Sequence, residues 1–129
     1  MERLQLKYQD LEKTLRILKE VLDEPPTVFM RDSAIKRFEL TFEVLWKFLK
    51  EYLAVKEGIH IASPKAVFRE LTSLGYLSES DTEKFLLMTD RRNESVHVYK
   101  EDISKKIYED LKGYMTLMDM LTHKIRDLC

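Results

Sequence analysis

The segment from Arg91 to Tyr99, RRNESVHVY, holds the densest group of chemically active side chains in the sequence. An arginine presents a planar fork of donors to a phosphate, and an imidazole can take or give a proton near neutral pH. Arg92 and His97 therefore suit phosphodiester transesterification without a metal. Asn93 would orient a phosphate or the imidazole, and Tyr99 would offer a hydroxyl and a ring for base stacking. We interpret Arg91 as a surface charge with an electrostatic role in substrate binding.

His97 also has a purely structural interpretation. A histidine near the C-terminus of a helix interacts favourably with the helix dipole when it carries positive charge, and it needs no other role. The residues alone leave the catalytic and the structural interpretations open.

Arg92 interrupts the apolar pattern of its predicted helix. The inward stripe runs through Met88 and then positions 92 and 96 toward Tyr99. A guanidinium on a buried stripe needs an anionic partner, because an uncompensated charge there costs roughly several kcal/mol. Glu39 and Glu43, in the long helix that precedes it, are the candidate partners.

The spacing of the motif also raises a geometric problem. Asn93 and His97 are four residues apart and share one helix face, whereas Arg92 and His97 are five apart, about 140° around an unbroken helix. For Arg92 and His97 to converge, either the helix must unwind locally or two protomers must contribute.

The composition is that of an ordinary globular domain. The 129 residues fit one domain, 1–129, and a chain with 44% hydrophobic residues, 3 Gly and 3 Pro is a poor candidate for a turn-rich β fold or for disorder. A net charge of -1 provides no global attraction to nucleic acid, so RNA would need a local basic patch.

Several classes of site and location are disfavoured. The single cysteine, Cys129, offers neither a disulfide nor a Cys-based metal site, and His60 and His123 have no partner at ligand spacing, so we predict no metal and no cofactor. There is no glycine-rich phosphate loop. No apolar run is long enough for a membrane span or a secretion signal, so we expect a cytoplasmic protein.

Apolar residues recur at spacings of three and four through most of the chain, which predicts amphipathic helices. Asp32 or Ser33 would cap the second helix, and Ser80 with Glu83 would form a capping box for the fourth. The second helix is apolar on several faces and should be central. The predicted helices span 2–23, about 32–58, 63–75, 80–93 and 102–128.

These elements predict an all-α fold, an antiparallel up-and-down four-helix bundle with an additional short helix. Gly113 lies inside the last predicted helix, where it costs about 1 kcal/mol relative to alanine. We interpret it as a point of close contact between helices.

Two segments resemble a known family. Residues 31–47, RDSAIKRFELTFEVLWK, resemble the second-helix signature of the nucleotidyltransferase substrate-binding (HepT-like) proteins of the HEPN superfamily. The segment Arg92-Asn93-(x)3-His97-x-Tyr99 resembles their R-(x)4-H-x-Y motif. The order and the spacing both match, and the resemblance covers nearly the whole chain.

The resemblance implies a homodimeric helical bundle that binds a minimal nucleotidyltransferase. In the superfamily the motif Arg and His cleave RNA without metal at a cleft between two copies, which implies catalytic roles for Arg92 and His97, supported by Asn93. In some toxin-antitoxin pairs the partner modifies the motif tyrosine with AMP, which implies a modification site at Tyr99. Lys100 stands where relatives often carry Asp or Asn, so this loop is more basic.

Three functions follow from these observations. The first is a helical, substrate-binding partner subunit of a minimal nucleotidyltransferase, whose cleft binds nucleotide or RNA phosphate. The second is a metal-independent ribonuclease toxin that a nucleotidyltransferase antitoxin neutralises. The third is a non-catalytic dimeric adaptor. The chain lacks the motif of the transferring subunit itself.

Overall fold

Five α-helices account for most of the computed structural model, which describes residues 2–127. The described residues contain no β-strand, and the predicted all-α bundle with one short additional helix is confirmed. A π-helical segment, Leu53–Glu57, prolongs the second helix, and a 3-10 turn, Ser95–His97, follows the fourth. The helices are α1 Glu2–Leu22, α2 Val28–Tyr52, α3 Pro64–Ser73, α4 Glu79–Glu94 and α5 Glu101–Arg126.

The start of α2 lies about one turn earlier than predicted. The hydroxyl of Thr27 accepts a hydrogen bond from the backbone N–H of Met30 at 3.1 Å, so Thr27 is the N-cap. The prediction of a cap at Asp32 or Ser33 is wrong, because the preceding prolines leave the chain extended up to Thr27 and its hydroxyl can cap first.

The start of α4 is also displaced. Ser78 is the N-cap, and its hydroxyl accepts from the backbone N–H of Asp81 at 3.0 Å. Ser80 therefore lies inside the helix, and the predicted capping box of Ser80 with Glu83 is wrong. Glu79 and Asp81 place negative charge in the first turn, where the helix dipole favours it.

The core has α2 at its centre, as predicted. Buried aromatic rings connect α2 to its neighbours: Phe38 stacks on Tyr114 of α5 with centroids 5.7 Å apart, and Phe42 lies 6.0 Å from Phe68 of α3. Phe68 then stacks on Phe85 of α4 at 4.8 Å. This chain of rings fixes α4, and with it the motif that begins in its last turn, against the rest of the bundle.

Gly113 lies in an open place on α5. A methyl group added there would meet no atom within 4 Å. The prediction of close helix contact is therefore wrong, and the glycine instead borders a groove between α4 and α5.

Two of the sequence predictions fall outside the described residues: the cysteine arguments, which rest on Cys129, and the end of the last predicted helix at Leu128. Between residues 2 and 127, no helix combines the length and the apolar character that a bilayer span requires.

Candidate functional site

The motif Arg92-(x)4-His97-x-Tyr99 spans the point at which the α-helix α4 gives way to a 3-10 turn. The buried hydroxyl of Ser95 donates to the carbonyl oxygen of Arg92 at 2.5 Å, and the backbone N–H of Ser95 bonds to the same oxygen. Bonds three residues back favour the tighter 3-10 turn, so α4 ends at Glu94. On the far side, the hydroxyl of Ser104 in α5 donates to the carbonyl of Val98 at 2.5 Å. The loop that carries the motif is therefore fastened at both ends.

Arg92 is half-buried against α2. Its guanidinium lies 3.7 Å from the carboxylate of Glu43, which confirms one of the two predicted partners. Glu39 lines the same cleft but makes no ion pair with Arg92. Although burial acts to raise it, the pKa of Glu43 is lowered by hydrogen bonds from Trp46 and Lys47 and by the charge of Arg92.

The predicted inward stripe does not continue beyond Arg92. Val96 and Tyr99 are 62% and 75% exposed, so their predicted placement on the buried face is wrong, and Ser95 is the buried residue there. The physical reason is the 3-10 turn, which advances about 120° per residue instead of about 100°.

His97 and Tyr99 form an exposed pair. The Nδ1 atom of His97 lies 3.1 Å from the hydroxyl oxygen of Tyr99, and the two rings meet edge to face with centroids 5.7 Å apart. When the imidazole carries its proton on Nε2, the tyrosine hydroxyl donates to Nδ1. A phenol open to solvent therefore lies against a base.

Arg92 and His97 have different partners within one protomer. No hydrogen bond or ion pair joins them among residues 2–127. The tighter turn leaves the two positions roughly 160–180° apart around the axis, farther than in an unbroken helix. Asn93 is exposed, and its side chain has no hydrogen-bond partner in the same part of the chain.

Arg91 is not the surface charge that the sequence predicts. Its side chain is 14% exposed, and its guanidinium binds Glu94 at 3.0 Å beside α5. There it neighbours the phenol of Tyr114, whose pKa burial raises. Arg91 thus packs between α4 and α5, and its role in substrate binding stays a prediction.

The remaining histidines lie apart from the motif. His60 is exposed, as predicted. His123 is also exposed, but its Nδ1 lies 2.8 Å from the backbone oxygen of Asp119 and 3.5 Å from its carboxylate. From residue 2 to residue 127, no three His, Cys, Asp or Glu side chains are grouped as a metal site would need.

One ion pair near the motif was missed by the sequence reasoning. Both terminal nitrogens of Arg31, in the first turn of α2, bind the two carboxylate oxygens of Glu101 at 2.6 and 2.9 Å. The hydrogen bonds from Arg31 lower the pKa of Glu101. Because the partners are 70 residues apart, no local pattern could have revealed the pair. It fixes the start of α5, two residues after Tyr99.

The solved structures to which this chain is similar include three that bear on its family. A crystal structure of a Thermus thermophilus protein is 41% identical, covers 90% of this chain and 98% of its own, and has a TM-score of 0.86. A tri-AMPylated Shewanella oneidensis HEPN toxin in complex with MNT antitoxin is 13% identical, with 96% of each chain covered and a TM-score of 0.78. A Haemophilus influenzae protein, described as the fold of a substrate binding domain of a nucleotidyltransferase, is 21% identical, with 97% and 98% covered and a TM-score of 0.64.

The last two likenesses support the fold alone, because their identities are low. A search among curated proteins found no match. The sequence profile described as "Nucleotidyltransferase substrate binding protein like" matches residues 5–127, nearly the whole chain. The chain therefore belongs to the family of nucleotidyltransferase substrate-binding-like proteins, as the two sequence motifs predicted.

Proposed function

We propose that this chain is the helical partner subunit of a minimal nucleotidyltransferase, acting in the cytoplasm as a homodimer whose Arg92-(x)4-His97-x-Tyr99 cleft binds nucleotide or RNA phosphate. The observation that carries the proposal is the exposed Tyr99 hydroxyl, held 3.1 Å from Nδ1 of His97. An aromatic side chain that is 75% exposed contributes little to its own fold. Its placement suits an encounter with another molecule.

In this proposal Tyr99 is the acceptor of a nucleotidyl group. The phenol oxygen attacks the α-phosphorus of ATP bound by the partner enzyme, and the bond to pyrophosphate breaks as the new oxygen–phosphorus bond forms. His97 takes the phenol proton as general base. The AMPylated state of the Shewanella oneidensis relative supports this choice of group.

The proposed homodimer is supported by the positions of Arg92 and His97. Arg92 faces Glu43, whereas His97 faces Tyr99 on the other side of the helix end. A phosphate could meet a guanidinium and an imidazole together if a second protomer supplied one of them. Light scattering coupled to gel filtration should give the mass of a dimer, and a monomer at micromolar concentration would contradict this part.

The test of the acceptor role uses the whole chain with its co-expressed nucleotidyltransferase. With ATP, intact-mass spectrometry should show the gain of AMP on the wild type and none on Tyr99→Phe. Tyr108→Phe, which removes a half-buried hydroxyl on α5, is the matched control and should be modified like the wild type. AMP found on Tyr99→Phe to the same extent would refute the assignment.

A second function, a metal-independent ribonuclease, is favoured by a different observation. The long 3.7 Å contact between Arg92 and Glu43 leaves the guanidinium able to bind a phosphate. His97 would take the proton of a ribose 2′-hydroxyl, whose oxygen would bond to phosphorus as the bond from phosphorus to the 5′-oxygen breaks. The 5′-oxygen would leave as a hydroxyl with a proton from water. Purified wild type should cleave single-stranded RNA without added metal and His97→Ala should not; equal rates would end this hypothesis.

The adaptor hypothesis has the least support. It requires Arg92 and His97 to pair with each other inside the fold, whereas His97 is exposed and Arg92 lines an open cleft. Their accessibility favours a role toward another molecule.

A further inference from the structure

A groove lies between α4 and α5, the two helices that are joined by the loop carrying His97 and Tyr99. Its volume is about 500 Å³, and it shares no lining residue with the cleft beside Arg92. We call it the α4–α5 groove. Its lining includes Lys84 and Leu87 of α4 and Glu109, Asp110, Gly113 and Leu117 of α5.

Apolar side chains are gathered along this groove. Leu87 is 43% exposed, and Leu117 on the facing helix is half-buried. Met120, seven residues after Gly113 and therefore on the same side of α5, is 42% exposed. Single exposed apolar residues need no explanation, whereas several in one concave place are typical of a surface that binds another molecule.

Gly113 keeps the α4–α5 groove open, because no side chain at this position fills it. Glycine inside a helix is less stable than alanine. Gly113 has neither a positive φ nor a close neighbour, and a methyl group added to it meets no atom within 4 Å. Within residues 2–127 nothing therefore requires a glycine here. The close approach of another molecule's backbone does require one, because the distance between packed helices depends on the side chains at their contact.

Two acids on the α5 side of the groove indicate the charge of the occupant. Glu109 and Asp110 form no ion pair with any residue from 2 to 127. Lys84, on the α4 side, has its carboxylate partner Asp81 at 4.0 Å, outside the groove. An amphipathic helix with an apolar ridge and a lysine or arginine at one edge is complementary to this surface in shape and in charge.

The position of the groove indicates which protein supplies such a helix. Leu87 lies seven residues before the end of α4 and Gly113 twelve residues after the start of α5, which places the groove roughly 10–20 Å from the motif. A small domain is about 30 Å across. An enzyme that binds in the groove therefore extends as far as the exposed hydroxyl of Tyr99, the acceptor in the proposed function.

We propose that the α4–α5 groove is the docking site of the nucleotidyltransferase, which inserts one amphipathic helix there. The apolar ridge of that helix packs against Leu87 and Leu117, and its backbone passes over Gly113. A basic side chain at its edge pairs with Glu109 or Asp110. The inference rests on the proposed function, and it adds the surface, outside the motif, by which the enzyme binds this chain during transfer to the acceptor tyrosine.

The test fills the groove and measures the affinity of the full chain for its purified nucleotidyltransferase by isothermal titration calorimetry. Gly113→Met should weaken binding at least about tenfold, because a side chain then occupies the space that the docked helix needs. The matched control is Lys112→Met, which places the same side chain about 100° around α5, outside the groove lining. Its affinity should stay within about twofold of the wild type.

Gly113→Ala separates binding from folding. Alanine should make the free chain more resistant to urea, because a helix interior favours alanine over glycine, while it weakens binding of the enzyme by about two- to fivefold. A variant that is more stable and yet binds less tightly cannot owe its weaker binding to misfolding. Wild-type affinity in both Gly113→Ala and Gly113→Met would overturn the inference.

The acids of the groove provide an independent readout. Glu109→Gln/Asp110→Asn should weaken binding by about two- to fivefold at low salt, because the basic edge of the docked helix loses its partners. The affinity of this double variant should also depend less on salt than that of the wild type. Unchanged or stronger binding would contradict a basic edge on the occupant.

A second copy of this chain is the alternative occupant, and light scattering of the free chain identifies it. Gly113→Met should leave the mass of the free chain the same as that of the wild type, because the groove is empty until the enzyme binds. A dimeric wild type that becomes monomeric in Gly113→Met would assign the groove to contact between copies and overturn the inference.

The AMP-transfer assay separates this inference from the proposed function. With the chain as substrate, Gly113→Met should raise KM at least about tenfold and leave kcat within about twofold of the wild type, since docking is weakened and the chemistry at Tyr99 is not. Equal KM values for Gly113→Met and the wild type would refute the docking site and leave the partner-subunit role intact. A wild-type chain that the enzyme neither binds nor modifies would refute the proposed function, and the docking site with it.

Discussion

The aromatic centre of the bundle, formed by Phe42, Phe68 and Phe85, differs from the exit of α4, residues 92–99. The difference lies in how many of their side chains have partners within the fold. At the centre, Phe68 is fully buried, and its ring lies between the rings of Phe42 and Phe85. At the exit, Tyr99 is mostly exposed and Arg92 keeps a donor without a partner. The contacts at the centre serve folding alone, whereas the exit retains side-chain groups that can bind another molecule.

The same contrast separates two arginines that each face an acid from another helix. Arg31 directs both terminal nitrogens to Glu101 at 2.6 and 2.9 Å, which is the bidentate geometry of a structural pair. Arg92 reaches Glu43 only at 3.7 Å. Proximity to an acid therefore does not by itself make an arginine structural. The number of guanidinium nitrogens that donate hydrogen bonds distinguishes Arg31 from Arg92.

The largest expected effect comes from breaking the aromatic centre. Phe68→Ala should lower the free energy of unfolding by about 3–5 kcal/mol, because it removes a buried ring and leaves a cavity between α2 and α4. Tyr99→Ala, the matched aromatic truncation at the exit, should change it by less than about 0.5 kcal/mol. Urea denaturation followed by circular dichroism measures both. Similar losses in the two variants would contradict the contrast between centre and exit.

The sequence predicted the centre better than the exit because the centre obeys local periodicity. The leucines of α1 and the apolar stripe of α5 are buried as their spacing requires. The helix starts were displaced because Thr27 and Ser78 compete with later residues of the same capping chemistry. Periodicity predicts which face of a helix is buried. It does not predict which of several neighbouring capping residues begins the helix.

At the exit of α4, the sequence predicted the chemistry of the side chains but not the directions in which they point. The contact of Arg92 with Glu43 was correctly predicted, whereas the functional roles of the residues from Arg92 to Tyr99 stay a prediction. The outward orientation of Val96 depends on the bond between Ser95 and Arg92, which replaces the α-helical repeat with a tighter turn. A change of helix type three residues long leaves no periodic trace that a sequence pattern could detect.

A third kind of region, a stretch of helix that no other element covers, sharpens the comparison. Gly113 is exposed on α5 with nothing within 4 Å of an added methyl group. Gly113→Ala should therefore raise the free energy of unfolding by about 0.5–1 kcal/mol, because alanine restricts the unfolded chain more than glycine does. A loss of stability on urea denaturation would mean that the groove beside Gly113 is occupied in solution.

The comparison of Arg31 with Arg92 predicts smaller changes in stability. Arg31→Met should lower the melting temperature by about 2–4 °C, because it removes the pair that joins α2 to the start of α5. Arg92→Met should lower it by less than about 1 °C, since its contact with Glu43 is long and partly solvated. Differential scanning calorimetry at pH 7 compares the two. A larger effect from Arg92→Met would show that its donors are used for folding after all.

The smallest effect is the pH dependence of the Arg31–Glu101 pair. Hydrogen bonds from Arg31 lower the folded-state pKa of Glu101, so the pair stabilises the fold fully above the unfolded-state pKa, about 4.3, and loses that contribution as the pH falls through the lower folded-state pKa. The difference in melting temperature between the wild type and Arg31→Met should thus be constant from pH 7 to about pH 5 and shrink below about pH 4. Glu101→Gln should show the reduced melting temperature already at pH 7 and a flatter profile on acidification. A difference that persists unchanged at acidic pH would mean that Arg31 stabilises the bundle by packing and not through the carboxylate, and the contrast with Arg92 would then rest on burial alone.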